Sequence, residues 1–394
     1  MDLKKIFMKD ACPTKIGGQA ILEGIMMKGA DRTATVVRMP DKSLYIKTEK
    51  LPEQSKWMKF PIIRGVVAFI GALVMGTKIL LHSADVLESY DGPNAVELED
   101  DKLSLWLEKK FGKDKAWDIL VYTSVVLAVL LTVGLFVILP TAVVDFCGRF
   151  TENAILLNLI EGVLRILMFI GYVALIPLMD DIKRVFQFHG AEHKCIHCHE
   201  NGLELTPENC QSFYTLHPRC GTSFLMFVMI ISLILFSFLG WPNLLWRIVS
   251  RLLLIPVVAG VSYELLRWAG RSDNILVKIL SMPGILLQKL TTREPEVEHL
   301  EVAIAAMKAV MVPADTPTFI GKCDLDGNLI PGTETTEEEI KAKKEARSAK
   351  LKAEKEAAVN AESNAPAAEA EIAEAAAVNT EEIAAEDADA GADE

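Results

Sequence analysis

The sequence has no excess of positive charge, and its negative charge is concentrated at the C-terminal end. It has 394 residues with 41 Lys or Arg and 53 Asp or Glu, a net charge of −12. Between Glu334 and Glu394 lie 18 acidic and 7 basic residues, so this segment carries −11 and the rest of the chain −1. Without excess cations, the body of the chain is not suited to neutralising phosphates. We therefore expect no nucleic-acid partner.

The chain also lacks a secretory signal at its start, because the first long apolar run comes only after Pro61. The N terminus is therefore expected in the cytosol. Of the seven cysteines, Cys195, Cys198, Cys210 and Cys220 lie within 26 positions, among several histidines. In a reducing compartment this grouping favours metal ligation over disulfide bonds.

Long apolar runs exclude an ordinary soluble globule. Four segments have roughly 18–25 residues, enough to cross a bilayer: 119–144, 156–179, 222–239 and 245–268. In segment 61–84 the apolar stretch is short and runs only from Gly65 to Thr77. That stretch covers about 20 Å of helix against a hydrocarbon core of about 30 Å, so it is predicted to be interfacial, re-entrant or protein-buried. The predicted fold class is mainly α, a polytopic transmembrane bundle of about four spans.

The remaining segments are predicted to be soluble. Residues 1–60 form a small cytosolic α/β or β-hairpin part, since 33–38 and 43–48 are rich in β-forming residues on either side of Pro40-Asp41. Residues 85–118 are a linker, 180–221 a cytosolic His/Cys loop between two membrane hairpins (119–179 and 222–268), and 269–332 amphipathic helices. Residues 333–394, without aromatics, are predicted to be a disordered acidic tail.

Lys and Arg flank the predicted spans unevenly. Five lysines precede the first span between positions 102 and 115, whereas Arg149 alone follows it, and Lys183 and Arg184 follow the second. The positive-inside rule then places the N terminus, the 180–221 loop and the C terminus in the cytosol. We expect a multi-pass protein of the inner (plasma) membrane, with the lipid bilayer as its partner.

The chemistry is expected at His189-Gly190-Ala191-Glu192-His193, a match to H-x-x-E-H. On a helix at 100° per residue, His193 lies about 40° from His189, and Glu192 about 60° to the other side. Two imidazoles on one face can hold a zinc ion while the neighbouring carboxylate deprotonates water. Residues 181–188 are predicted to continue the second span as the helix that this motif requires.

A catalytic zinc needs a third protein ligand and an open coordination position. His217 and Cys220 lie just before the third span, at the membrane face where the second span ends, and are the preferred third ligands. Glu23, Glu200 and Glu264 are carboxylate alternatives. A closed structural zinc site competes with this interpretation, because Cys195 and Cys198 have C-x2-C spacing and a short loop separates them from His217-Pro218-Arg219-Cys220.

Two further features have structural interpretations. Glu161 and Arg165, one helical turn apart, are predicted to form an interfacial ion pair, and Glu264 to pair near the cytosolic interface with Arg267. The glycine pair Gly17-Gly18 suits a tight turn or a close backbone approach.

Four motifs in order resemble the YqhQ-like family of bacterial membrane proteins, a domain of unknown function (1385) whose members are considered predicted metal-dependent enzymes. They are residues 17–20 with 23–27, 189–193, 217–224, and 293–295 with 298–305. The resemblance covers residues 14–312. It implies that His189, Glu192, His193, His217 and Cys220 belong to the family pattern while Cys195 and Cys198 do not, and it adds Glu23 as a candidate.

The resulting hypothesis is a membrane enzyme, hydrolytic in class, with His189 and His193 binding Zn2+, His217 or Cys220 completing the ligands, and Glu192 as general base. Iron or manganese are alternative metals. The substrate is unknown, and a membrane-proximal one follows only from the location. Rival hypotheses are a non-enzymatic scaffold or assembly factor with structural zinc, and a transporter.

Overall fold

A computed structural model describes residues 12–351, except 53–57, 59, 94, 96–109, 111, 112, 148–150, 152, 240–242 and 270–273. The described residues form two parts, a five-stranded antiparallel sheet covered by helices and a bundle of apolar helices. A mainly helical chain with a small N-terminal β part is what the sequence predicts, but the sheet is larger than one hairpin.

The sheet has the strand order β1-β2-β3-β4-β5. Its strands are β1 (Gly17–Ile21), β2 (Gly24–Lys28), β3 (Arg32–Arg38), β4 (Leu44–Lys50) and β5 (Ile320–Cys323). Strands β3 and β4 form the predicted hairpin, with Val36 opposite Ile46. Strand β5 pairs with β4 although all the apolar helices lie between them in the sequence, and local patterns do not reveal such a pairing.

Helices cover both faces of the sheet. Successive strand residues point to opposite sides, so Ile25 and Met27 face helices α5 (Asp180–Glu200) and α10 (Val297–Val310). Met26 and Val37 instead face helix α1 (Ile63–Glu88). Burial on both faces fits the apolar residues 25–27 of β2, and it also encloses residues 32–37 of β3, although β3 contains Arg32 and two threonines.

Helix α10 belongs to the core of this part. Ten of its fourteen residues are buried, several of them alanines that allow close packing between the sheet and α5. The sequence predicts an amphipathic surface helix here. The structure differs for α10, because the sheet covers one of its sides and α5 another. Helix α9 (Ile275–Thr291) keeps the predicted amphipathic pattern, with Ile285 and Leu287 buried but Ile279 exposed.

Within the described residues, the bundle contains four helical segments. The first is α2 (Lys113–Val133), a π-helical turn (Gly134–Ile138) and α3 (Leu139–Cys147), and the others are α4 (Ala154–Leu175), α7 (Thr222–Ser237) and α8 (Leu244–Ala269). The short helix α6 (Pro207–Gln211) lies outside the bundle, next to α5. Among the described residues, four helices are long and apolar enough to cross a membrane: Ile63–Glu88, Tyr122–Phe146, Ala154–Leu178 and Leu245–Ala269.

The number of such helices agrees with the prediction, but their identity differs. Helix α7 ends at Ser237 after 16 residues, about 24 Å, and is shorter than the predicted segment 222–239. Helix α1 takes its place among the long helices. It has 26 residues because it continues through Lys78 to Glu88, into the stretch predicted as a linker.

Helix α1 contacts the bundle with its first half and the sheet with its second half. Gly65 packs against Gly260 and Tyr263, near the end of α8. Phe69 lies against Phe224 in the first turn of α7, with ring centroids 5.9 Å apart. The second half, including Ile79, is buried against the sheet. Helix α1 therefore packs against α8 and α7 with its first half and against the sheet with its second half.

A buried ion cluster joins α3, α4 and α8. Glu161 Oε1 accepts hydrogen bonds from Arg165 (2.7 Å) and the Thr141 hydroxyl (2.9 Å), and it lies 2.6 Å from Arg251. The predicted Glu161–Arg165 pair thus forms, with a second arginine that the sequence analysis missed. Glu161 is only 2% exposed, so the pair is buried among the helices of the bundle, and its place at the membrane interface stays a prediction.

The predicted disordered tail begins with a helix, α11, over residues 337–351. The Thr336 hydroxyl accepts a hydrogen bond from the Glu339 N–H at its start, and Lys344 lies 2.6 Å from both Asp85 and Glu88 of α1. These partners lie far back in the sequence, so composition alone does not reveal this order. Residues 352–394 of the predicted tail lie outside the described residues.

Candidate metal centre

Helix α5 carries the H-x-x-E-H motif. It does not continue the second apolar helix as predicted, because a 3-10 turn (Ile176–Leu178) and extended Met179 separate them. Pro177 in that turn has no N–H to donate and favours the break. Helix α5 then starts at Asp180 and packs against β1 and α10, so the motif lies between the sheet and the bundle.

The two histidines have the same orientation. His189 Nδ1 lies 2.8 Å from the Thr291 carbonyl oxygen, and His193 Nδ1 lies 2.5 Å from that of Thr215. Since a carbonyl only accepts, each Nδ1 carries the proton and donates it. Each Nε2 is then the ring nitrogen left to bind a metal ion, as in most histidine-metal sites. The ring centroids are 4.5 Å apart.

Cys220 completes the cluster. Its Sγ lies 3.2 Å from His189 Nε2, and one ligand atom each of His189, His193 and Cys220 lie within 4.8 Å of one another. His193 Nε2 is buried without a hydrogen-bond partner. A buried nitrogen lone pair without a partner is costly unless a ligand such as a metal ion satisfies it. The residues present therefore fit a metal ion.

The electrostatics of the cluster also suit a cation. Burial alone would raise the pKa of the Cys220 thiol, but the charges of His193 and His189 and the hydrogen bond with His189 outweigh burial and lower it well below its usual range. Burial would lower the pKa of His189, but the Cys220 thiolate outweighs burial and raises it to about 9. The cluster thus holds a thiolate, the form that binds metals.

Glu192 lies beside this cluster, held by the sheet. Its Oε1 accepts a hydrogen bond from the Gly18 N–H at 2.8 Å, and the residue is 5% exposed. Burial raises the pKa of Glu192 despite the opposing charges of His189 and His193. Gly18 lies within β1 and not in a turn. Only a residue without a side chain allows this approach, because a Cβ there would lie 2.9 Å from Glu192 Cδ.

His217 does not join the cluster. Its Nε2 lies 3.5 Å from Glu200 Oε2, and its ring packs between His193 and His197. Glu200 also binds Arg219 and the N–H of Thr14. Of the two preferred third ligands, Cys220 is the one beside the histidines. Glu200 and His217 form a neighbouring structural network.

The closed site with Cys195 and Cys198 does not assemble. Both thiols are fully buried on the other side of α5, in the core formed with the sheet and α10. Each interacts with Cys210, and Cys198 Sγ also lies 3.4 Å from the Glu204 carbonyl oxygen. These cysteines are free thiols. On a helix they fall about 120° and 180° from His189, so they cannot share its ligand.

The remaining carboxylate candidates form ion pairs elsewhere. Glu23, at the β1–β2 turn, binds Arg184 at the start of α5 and fixes this turn to the helix that carries the motif. Glu264 binds Arg64 of α1, not the predicted Arg267. The contacts that orient the centre, the carbonyls of Thr215 and Thr291, escaped the sequence analysis because any residue type can supply a carbonyl.

Fold and site together define a class of protein with long apolar helices and a buried His/His/Cys cluster able to hold a metal ion. The chain belongs to the family described as "Protein of unknown function (DUF1385)", which matches residues 60–312. A relative, "Uncharacterized protein YqhQ" of Bacillus subtilis (strain 168), is 34% identical over 311 residues, covering 77% of this chain and 94% of the relative. No solved structure matches the chain.

Proposed function

We propose that the protein is a zinc-dependent hydrolase of the inner membrane, with its metal bound by His189, His193 and Cys220. The observation that carries the proposal is the orientation of the two histidines. Backbone carbonyls hold both Nδ1 protons, one Nε2 faces the Cys220 sulfur, and the other is buried without a partner. This combination supports a metal site more than a pair of structural histidines.

Zinc is the metal that two imidazoles and one thiolate favour. Three protein ligands would leave the fourth coordination position of a zinc ion open. Zinc held by these ligands would act as a Lewis acid on water or on a substrate carbonyl. Iron or manganese would bind the imidazoles but are less suited to the thiolate.

Glu192 is the proposed general base. Its raised pKa suits a group that accepts a proton from attacking water and returns it to the leaving group. The Gly18 N–H fixes Oε1, which leaves Oε2 for proton transfer.

The proposed membrane arrangement follows from the contacts of α1. In this arrangement the segments α2–α3, α4, α7 and α8 cross the bilayer, and α1 lies at its surface because the second half of α1 is buried against the sheet. The short α7 crosses with local thinning of the bilayer or with help from its neighbours. The sheet, α5 and α10 then lie in the cytosol, in agreement with the positive-inside rule.

The test is metal content of the full-length protein purified in detergent, by elemental analysis. We expect one zinc per chain, and its loss in His193→Ala. His197→Ala is the matched control, because His197 lies on the same helix and donates to the Leu216 carbonyl. Equal zinc in both variants contradicts the proposal. A Glu192→Gln variant that keeps zinc but loses hydrolysis of a substrate found by lipid and peptide screening supports the role of Glu192.

Scaffolding and transport remain the alternatives. A scaffold with structural zinc predicts that Glu192→Gln changes no function. One observation supports transport, namely the Glu161–Arg165–Arg251 cluster inside the bundle. Ionisable groups buried within a helix bundle line many transport routes. Proteoliposomes containing a pH-sensitive dye test this candidate. Transport coupled to protons predicts a flux that Glu161→Gln abolishes, and no flux counts against it.

A further inference from the structure

A cavity of about 210 Å³ lies inside the bundle, outside the candidate metal centre. Five helical segments contribute to its wall: α1, the π-helical turn, α4, α7 and α8. Its lining is almost wholly apolar and includes Phe69, Phe136, Phe224, Val228, Phe236 and Ala259.

The cavity is long and narrow. Phe224 and Phe236, which both line it, lie near opposite ends of α7, about 18 Å apart along the helix axis. A volume of this size extended over such a length suits a single hydrocarbon chain better than a compact ligand.

The two ends of the cavity differ. At the Phe236 end, the guanidinium groups of Arg165 and Arg251 lie 5.5 and 5.6 Å from the ring centre, and Glu161 binds both. The ion cluster closes the cavity there, on the side away from the sheet. At the other end, Phe224 lies one helical turn beyond Cys220 in the sequence. The Phe224 end is thus the end of the cavity nearer to the metal centre.

The surroundings decide what fills the cavity. Water gains no hydrogen bonds from an apolar wall, and engineered apolar cavities of about 150 Å³ stay dry. An empty cavity forfeits the dispersion contacts of its lining. In a bilayer the abundant molecule of matching shape is a lipid acyl chain. Packing alone favours its entry, since lipid tails are as apolar as the wall.

We propose that this cavity binds one acyl chain of a membrane lipid, with the polar linkage of the lipid at the His189/His193/Cys220 centre. The placement of the linkage rests on the proposed function. Binding of the chain does not, because it depends only on the bundle. The substrate class is then an ester or amide of a lipid, held by its chain so that the linkage lies beside Glu192 and the metal ligands.

Photocrosslinking tests the chain-binding step. The full-length protein is reconstituted in phosphatidylcholine vesicles with phosphatidylglycerol that carries a diazirine on one palmitoyl chain. We expect crosslinks on α7 between Phe224 and Phe236, mapped by mass spectrometry. Ala259→Trp fills the cavity and should remove most of this labelling, because the indole ring takes the space of the acyl chain.

Matched variants distinguish loss of labelling through filling of the cavity from loss through misfolding of the protein. Leu253→Trp lies on the same helix as Ala259 but is 70% exposed on the outside of the bundle, and should leave labelling unchanged. Val228→Phe fills the cavity from α7 with a smaller change of volume and should also lower labelling. Labelling that is absent, or equal in the filled and control variants, overturns the proposal.

Two further readouts distinguish this inference from the metal proposal. Zinc per chain is measured on the same samples: full labelling without zinc overturns only the metal proposal, and zinc without labelling overturns only chain binding. A second lipid, with its diazirine on the head group, should label residues 215–222. Labelling near Phe236 instead would overturn the orientation.

Discussion

Replacing Cys220 by Ser tests the metal centre with the smallest change of shape. The Cys220 sulfur lies 3.2 Å from His189 Nε2 and 3.2 Å from the Thr222 hydroxyl. A Ser hydroxyl can keep both hydrogen bonds but is a poor zinc ligand near neutral pH, because it does not ionise as a thiol does. The variant therefore alters metal affinity with little effect on packing.

The expected magnitude follows from typical zinc sites. Structural zinc bound by four ligands gains about 10–16 kcal/mol, or about 3 kcal/mol for each ligand. Loss of one ligand should therefore weaken zinc binding roughly hundredfold.

The assay is competition for zinc between the purified protein and a fluorescent chelator. Cys198→Ser is the control, since Cys198 is also buried in the protein but lies on another face of α5, away from the two histidines. We expect its affinity for zinc to be unchanged. Equal weakening in the two variants would refute the separation of the two thiol groups, and no weakening in Cys220→Ser would refute the ligand assignment.

Three other substitutions have expected outcomes in thermal unfolding of the detergent-solubilised protein. Gly18→Ala should cost about 1–3 kcal/mol, because its Cβ would lie 2.7 Å from the Met26 carbonyl oxygen, whereas Gly17→Ala, with open space around it, should cost little. Glu161→Gln should cost about 3–5 kcal/mol by leaving two buried guanidinium groups without a counter-charge, and an unchanged melting temperature would contradict that pairing. Burial would raise the pKa of Glu200, but hydrogen bonds from His217 and Arg219 outweigh it and lower the pKa to about 2. Glu200 therefore stabilises the fold above its unfolded pKa of about 4.3, and this stabilisation disappears as the pH falls toward 2. Glu200→Gln should flatten the acid limb of the stability curve between these values.

Local patterns predicted those features that depend on helix geometry. The spacing of His189, Glu192 and His193 indicated the direction of both rings, and the same angles place Cys195 and Cys198 on another face of α5. The closed zinc site was therefore a hypothesis that the helical angles already disfavoured.

Features that depend on distant pairing were beyond local patterns. Strand β5 follows α10, whereas its partner β4 precedes α1, and the carbonyls of Thr215 and Thr291 orient the histidines through backbone atoms. Helix α10 has an amphipathic sequence pattern, but its alanines allow close packing against the sheet on one side and α5 on the other. The side chains in a short stretch of sequence do not reveal contacts with distant strands, backbone carbonyls or helices.

The place of β5 in the sheet has a consequence for biosynthesis. A ribosome delivers β1–β4 first, yet the outer edge of β4 stays unpaired until residues 320–323 emerge, after all the apolar helices have been synthesised. Exposed strand edges invite pairing with other chains. The nascent polypeptide thus has an unpaired β4 edge through most of its translation. A truncation before residue 320 would leave that edge permanently unpaired.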